Sequence, residues 1–191
     1  MPDAIYPVLN GLSKRLKDMG DGTHAEVVAA SGFAANPSAS FTRPADTTAY
    51  AIGDLIANST TAGSVVPMQF TVAREAAGSC MIRRVKISTS NVGGLNAIKR
   101  LHLFSAAPVP VNGDNGAFSS TGTASYLGAF EITLDRAFTD GACGFGGVVS
   151  SPDPVIKLAS GQIIYGLLEA RSANTPASGS TITVTLETLQ N

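Results

Sequence analysis

The stretch STITVTLETL, Ser180 to Leu189, alternates Ile182, Val184 and Leu186 with Thr181, Thr183, Thr185 and Glu187. Side chains of an extended chain point to opposite sides in turn, so a period of two marks a strand with one buried and one wet face. Upstream of it, IIYGLLEA (163–170) is apolar on both faces, the pattern of a central strand covered from both sides. Further strand-like segments fall at 40–43, 54–58, 65–73, 79–89, 97–105, 125–134, 143–150 and 155–159, with Gly, Pro, Asn and Asp clusters between them. No segment after residue 31 carries a convincing helical period. So many short strands in one domain predict an all-β fold, a jelly-roll-like antiparallel β-sandwich over residues 41–191.

The first thirty residues read differently. Leu9, Leu12, Leu16 and Met19 recur at helical spacing, with Asn10 as a cap and Gly20 as a stop. The competing reading makes SKRLKDM and HAEVVAA two strands joined at Gly20-Asp21-Gly22. The second half is β-branched and too short for a helix, so a β-hairpin is the expectation. A lone hairpin has too little core to stand alone, which makes 1–30 an extended arm for a neighbouring surface. Residues 31–40 (SGFAANPSAS) are small and turn-prone, a linker by composition.

Charge limits the partners. Only 14% of the 191 residues are charged, the net charge is −1, and 44% are hydrophobic. Nucleic acid is not an expected partner, because coating phosphates needs a basic field. No apolar run is long enough to span a bilayer as a helix, so no membrane partner is expected. The opening residues lack the basic-then-apolar order of a secretory leader, which predicts synthesis in a cytoplasm.

Chemistry-bearing residues are few. His24 and His102 are the two histidines, and no G-x-S-x-G elbow accompanies them. The phosphate-binding pattern GxxxxGK[ST] is absent. Asp114, Glu131, Asp135, Asp140, Asp153 and Glu169 could pair as acid and base, but most sit in turn sequences where Asp bonds its own backbone. Cys80 and Cys143 have no metal-ligand spacing and read as buried thiols, with a disulfide open only if their strands face each other. With no Trp and 6% aromatics, a sugar-stacking platform looks poor. The expectation is no catalytic residue, no cofactor, no metal, and no enzyme activity. In CMIRRVKIS, Met81, Arg83, Val85 and Ile87 share one face, and Ile82, Arg84 and Lys86 the other. An Arg in an apolar row must be paired or reach out at the sheet margin.

Two stretches carry a resemblance. KDMGDGTHAEVV, within Tyr6 to Ala30, resembles N-terminal segments of tailed-phage virion proteins. Phe41 to Phe70 and Leu101 to Ser119 are similar to a group of phage structural proteins. There an Ala-Tyr-x-x-Gly-Asp strand entry (Ala49, Tyr50, Gly53, Asp54) precedes an L-x-L-F strand (Leu101, Leu103, Phe104) and a D-N-x-A-F turn (Asp114, Asn115, Ala117, Phe118). The resemblance implies a capsid decoration or cement protein on the virion exterior, binding junctions between major capsid protein subunits and neighbouring copies of itself as a dimer or trimer. A tail, tail-fibre or head-fibre adhesin is the alternative. The residues expected to meet partners are Tyr6, Val8, Leu9, Leu12, Arg15, Leu16, Lys17, Val27 and Val28 in the arm, with Arg83 and Arg84 on the sandwich.

Overall fold

The computed structural model describes residues 4–7, 13–18, 24–26, 33–147 and 155–190. The chain divides into two units, Met1–Gly32 and Phe33–Asn191. In the first unit β1 (Ala4–Pro7), β2 (Ser13–Asp18) and β3 (His24–Glu26) form a three-stranded antiparallel sheet in the order β1-β2-β3. The pairing Leu16↔Glu26, Lys17↔Ala25, Asp18↔His24 is that of the expected hairpin, and β1 adds a further strand through Ala4↔Leu16 to Pro7↔Ser13.

The second unit holds β4 (Phe33–Ala35), β5 (Ser38–Thr42), β6 (Leu55–Ile56), β7 (Met68–Thr71), β8 (Ser79–Thr89), β9 (Ile98–Phe104), β10 (Tyr126–Thr133), β11 (Arg136–Phe138), β12 (Gly141–Gly146), β13 (Val155–Lys157), β14 (Ile163–Ala170) and β15 (Thr181–Gln190). One sheet runs β5-β15-β8-β12 and the other β7-β14-β9-β10. Counting these eight principal strands along the chain, the first sheet is first-eighth-third-sixth and the second is second-seventh-fourth-fifth. That order is two interlocked Greek keys. The sandwich is a jelly roll. The shorter strands extend its edges: β4 lengthens the β5 position along β15, β13 the β12 position along β8, and β6 the β7 position along β14.

The core lies between the two sheets. Ile82, Val85 and Ile87 of β8 and Ile182, Val184 and Leu186 of β15 form one cluster with Leu101, Leu103, Phe130, Ile132, Ile164 and Leu168 from the opposite sheet. Burying each such side chain stabilises the fold by roughly 2 kcal/mol. The strand that opened the sequence reading buries every second residue over its whole length. IIYGLLEA is buried almost throughout from Ile164 onward, because β14 lies in the middle of its sheet.

Two expectations need correction. Most of the segment read as a linker, 31–40, is strand: Phe33–Ala35 pairs with Thr188–Gln190, and Ser38–Thr42 with Thr181–Thr185. Its Ser and Ala residues suit an edge position, where only Ala39 and Phe41 pack inward. The second concerns Arg83. Opposite β8, the register steps from Glu187↔Arg84 to Thr188↔Ile82, so Arg83 is the extra residue of a β-bulge. The bulge reverses the phase of the strand. Cys80 and Ile82 point inward on one side of it, Val85 and Ile87 on the other, and Arg83 and Arg84 are both exposed. Neither arginine of β8 stands in an apolar row.

Two of the GACGFGG glycines, Gly144 and Gly146, find their use at the sandwich margin, where β12 passes close to β10. A Cβ on Gly144 would lie 1.8 Å from the Thr133 carbonyl oxygen, and one on Gly146 2.1 Å from that of Glu131. Both cysteines are buried and unbridged. Cys143 stands opposite Ser88 while Cys80 is eight residues away along β8. At roughly 3.3 Å per residue that is about 26 Å, far beyond the ~7 Å reach of a disulfide.

Candidate functional site

The outer face of the β15-β8-β12 sheet mixes short hydroxyl side chains with charged and aromatic ones. Register places Thr183, Ser88, Cys143 and Arg136 in one row across four strands, and Thr185, Lys86 and Phe145 in the next. Because Ser and Thr are small, the rows leave a groove of about 610 Å³. Phe138 and Phe145 stand in its lining, 55% and 37% exposed, beside Lys86, Arg136 and Asp140. The Arg84 guanidinium lies 4.4 Å and that of Arg136 5.9 Å from the centre of the Phe145 ring. Arg84 also grips Glu187 across the strands with two hydrogen bonds, Nε to Oε2 at 3.0 Å and Nη2 to Oε1 at 2.7 Å. The groove therefore offers hydroxyls, two aromatic faces and a mixed charged rim. No histidine and no carboxylate pair lines it.

Of the residues expected to meet partners, Arg84 stands beside this groove and Arg83 next to it on the bulge. Tyr6 lies in β1, and Arg15, Leu16 and Lys17 in β2. Val8, Leu9, Leu12, Val27 and Val28 fall outside the described residues. Sequence reasoning missed Phe138 and Phe145, since an exposed Phe in a glycine-rich run carries no periodic signal.

The outer face of the other sheet is charged and cross-linked by ion pairs, with Arg100 Nε and Arg171 Nε left without a partner. Register aligns Glu131, Arg100 and Glu169 across β10, β9 and β14. Arg100 donates to Glu131 at 2.7 Å, and Arg171 to Glu169 at 2.9 Å. Glu169 Oε2 also lies 2.9 Å from His102 Nε2, whose ring stacks on Phe118 at 4.3 Å and reaches the Tyr126 hydroxyl through Nδ1 at 3.2 Å. Burial holds the His102 imidazole below its ordinary pKa, with the Glu169 contact working the other way. With Phe104 these rings line a hollow of about 380 Å³ bordered by Ser119, Ser120 and Thr123. So Phe104, Phe118 and Tyr126 gather with His102 in one place, which composition did not suggest.

At one end of the sandwich the strand-entry and turn motifs meet. Asp54 bridges Ala117, Phe118 N donates to Gly53 O at 2.6 Å, and Leu55 N to Gly116 O at 2.7 Å. Asp114 was expected as a turn residue bonding its own backbone, yet it is buried and bonded to distant segments. Its Oδ1 accepts from the Tyr50 hydroxyl at 2.6 Å and from Ala57 N at 2.7 Å, and its Oδ2 from Arg43 at 2.7 Å. Arg43 Nε also donates to the Tyr50 oxygen. The two motifs are one folded unit, joined by the buried Tyr50–Asp114 hydrogen bond, with Arg43 paired to the same carboxylate.

Lys99 enters the same end from β9, on the inward side with Leu101 and Leu103, and is 3% exposed. Burial, reinforced by the charge of Arg43 and opposed by Asp114, pushes its ammonium down to about 8 from 10.5. Below pH 8 folding therefore carries the desolvation penalty of a charged Lys99. Between pH 8 and 10.5 the unfolded chain binds the extra proton, so this group's penalty fades as pH rises. Lys99→Met should be more stable than the native chain at neutral pH, by about 3 kcal/mol. That advantage should shrink across pH 8 to 10.5 in urea denaturation. Taking the difference between the two chains removes the opposing effect of Cys80, whose thiol burial raises to about 11.

No family model and no curated protein matches the chain. Among solved structures it is similar to one of Desmodium yellow mottle tymovirus, at 10% identity, 90% coverage of this chain, 94% of that one and a TM-score of 0.26. A second is the structure of infectious bursal disease virus Gx strain, at 11% identity, 92% and 46% coverage and a TM-score of 0.18. Scores this low carry no functional weight, and the fold rests on the strand order. Among the described residues no three His, Cys, Asp or Glu side chains converge as a metal site, and no helix is long and apolar enough to cross a membrane.

Proposed function

We propose that this chain is a virion structural protein that decorates the outside of a phage capsid and binds at junctions between major capsid protein subunits. The observation that carries the reading is the strand order, since the eight-stranded jelly roll is a fold that viral capsid proteins use. The motifs shared with phage structural proteins, Tyr50 and Asp114 among them, support it by forming the buried joint of that jelly roll. The mechanism is lattice avidity: the β1-β2-β3 unit adds backbone hydrogen bonds to a neighbour, and the hydroxyl-lined groove with Phe138 and Phe145 supplies a second contact. Several modest contacts repeated over a shell hold firmly without a strongly charged surface. In this reading the protein is a non-enzymatic homo-oligomer, made in the bacterial cytoplasm and taking neither nucleic acid nor membrane as partner.

The test is co-sedimentation with mature capsids that lack the protein. Native protein should saturate at many copies per shell and raise the heat resistance of the particle. Deletion of residues 1–32, and separately the pair Phe138→Ser with Phe145→Ser, should each weaken binding at least tenfold while the sandwich stays folded. Full binding by both variants would remove these surfaces from the mechanism. Saturation at only a few copies would remove decoration altogether.

A second reading has one observation in its favour. The hollow between His102, Phe118 and Tyr126, ringed by hydroxyls, suits stacking against a sugar, as a tail or fibre adhesin would need. Binding to purified host surface glycans, lost in Tyr126→Ala, would favour that reading.

A further inference from the structure

His102 stands on β9 between Ala129 of β10 and Leu167 of β14, with its side chain 12% exposed. Both ring nitrogens are engaged. Nε2 lies 2.9 Å from Glu169 Oε2, and Nδ1 lies 3.2 Å from the Tyr126 hydroxyl. The Phe118 ring, stacked at 4.3 Å with 22° between the planes, holds the imidazole from the side.

A carboxylate only accepts hydrogen bonds, so Nε2 carries the proton that Glu169 receives. In a neutral imidazole the other nitrogen is then a bare lone pair, and Tyr126 donates to it. The charges around the ring favour that neutral form. Arg100 of β9 contacts Glu131 of β10 at 2.7 Å and Glu169 of β14 at 4.0 Å. Arg171, just past β14, contacts Glu169 at 2.9 Å and Glu131 at 3.7 Å. Two carboxylates thus balance two guanidiniums, and a charged imidazole would be a third cation with no carboxylate left for it. Burial holds the ring below the 6.5 of a free imidazole against the pull of Glu169, and Arg100 and Arg171 add to the effect.

We propose that His102 is a proton switch that sets the hydrogen-bonding sense of the aromatic hollow. With the ring neutral, the Tyr126 proton is held inward on Nδ1, and the hydroxyl offers the hollow only lone pairs. When solvent delivers a proton to Nδ1, that nitrogen becomes a donor. The Tyr126 hydroxyl then turns over to accept from it and points its own proton outward, which a residue 46% exposed is free to do. The face gains one positive charge in the same step. The hollow therefore suits a hydrogen-bond donor at neutral pH, and an acceptor or an anion in acid. The switch lies in the chain's own groups, so it stands apart from the choice between a capsid and a sugar as partner.

Nitrogen NMR of the isotopically labelled full chain is the test, with the His102 signals assigned by their loss in His102→Gln. At neutral pH His102 should be the Nε2–H tautomer, and its ring should titrate with a midpoint below 6.5. Tyr126→Phe removes a hydrogen bond made only to the neutral ring, so the midpoint should rise, by roughly 0.5 pH units. In His102→Gln, whose amide keeps one donor and one acceptor at every pH, the Tyr126 ring signals should lose their response to acid. An Nδ1–H tautomer in the native chain overturns the proposal, and that reading needs no variant to fold. A midpoint that Tyr126→Phe leaves in place overturns it as well.

Discussion

Gly144→Ala should unfold the sandwich, or cost about 5 kcal/mol, the upper end for a single substitution. The added methyl would sit 1.8 Å from the Thr133 carbonyl oxygen and 2.7 Å from its carbon. Both obstacles are backbone, so no rotamer change relieves the clash. Relief requires β12 to move away from β10, and β12 is hydrogen-bonded to β8 from Ala142 to Gly146. The check is chemical denaturation of Gly144→Ala beside Gly147→Ala, where a Cβ meets nothing within 4 Å. The second variant should behave as the native chain does, and equal stability of both would contradict the close approach of the two strands.

Asp114→Ala should cost 3–5 kcal/mol, the range expected when one member of a buried pair is removed. It strips a partner from Arg43, from the Tyr50 hydroxyl and from Ala57 N, and leaves Arg43 and Lys99 facing each other across the sandwich end. Burial alone works against the charge of Arg43, and the Tyr50 and Asp114 contacts more than offset it, holding its guanidinium above its ordinary pKa. With the carboxylate gone only the Tyr50 contact is left to oppose burial. Arg43→Met combined with Asp114→Leu should recover a large part of the loss, because both charges then leave together. A double variant no more stable than Asp114→Ala would show that the Tyr50 and Ala57 hydrogen bonds, and not the charge, carry the effect.

The strands were legible in the sequence because their burial is local. Ile182, Val184 and Leu186 announce β15 by alternation alone, and β14 by its lack of alternation. What escaped was set at a distance. Ser38–Thr42 becomes a strand because Thr181–Thr185 lies beside it, and nothing in SASFT reports that neighbour. Arg83 looked like a core intruder because a period-2 count cannot register an inserted residue, and the step appears only in the pairing with β15. Asp114 sits in NGDNG, a turn sequence by every local rule, yet Tyr50 and Arg43 reach it from more than sixty residues upstream. The proposed contact surface was half legible: Arg84 was singled out for its charge, whereas the groove beside it arises from residues of three strands that align only once the register is known.

The partnership of β8 with β15 also governs how the molecule comes into being. Arg84 and Glu187, neighbours across that ladder, are 103 residues apart in the chain. Closing such a loop costs about 4 kcal/mol of chain entropy before any contact across it repays the loss. Folding dominated by such distant pairings is slow. A nascent chain that has not yet reached residue 181 holds β8 with one ladder edge bare and Ile82, Val85 and Ile87 without their cover from β15. The vulnerable interval in the life of this protein is thus its synthesis, when an incomplete chain presents a long open edge to other incomplete chains, and it ends when β15 slots between β5 and β8.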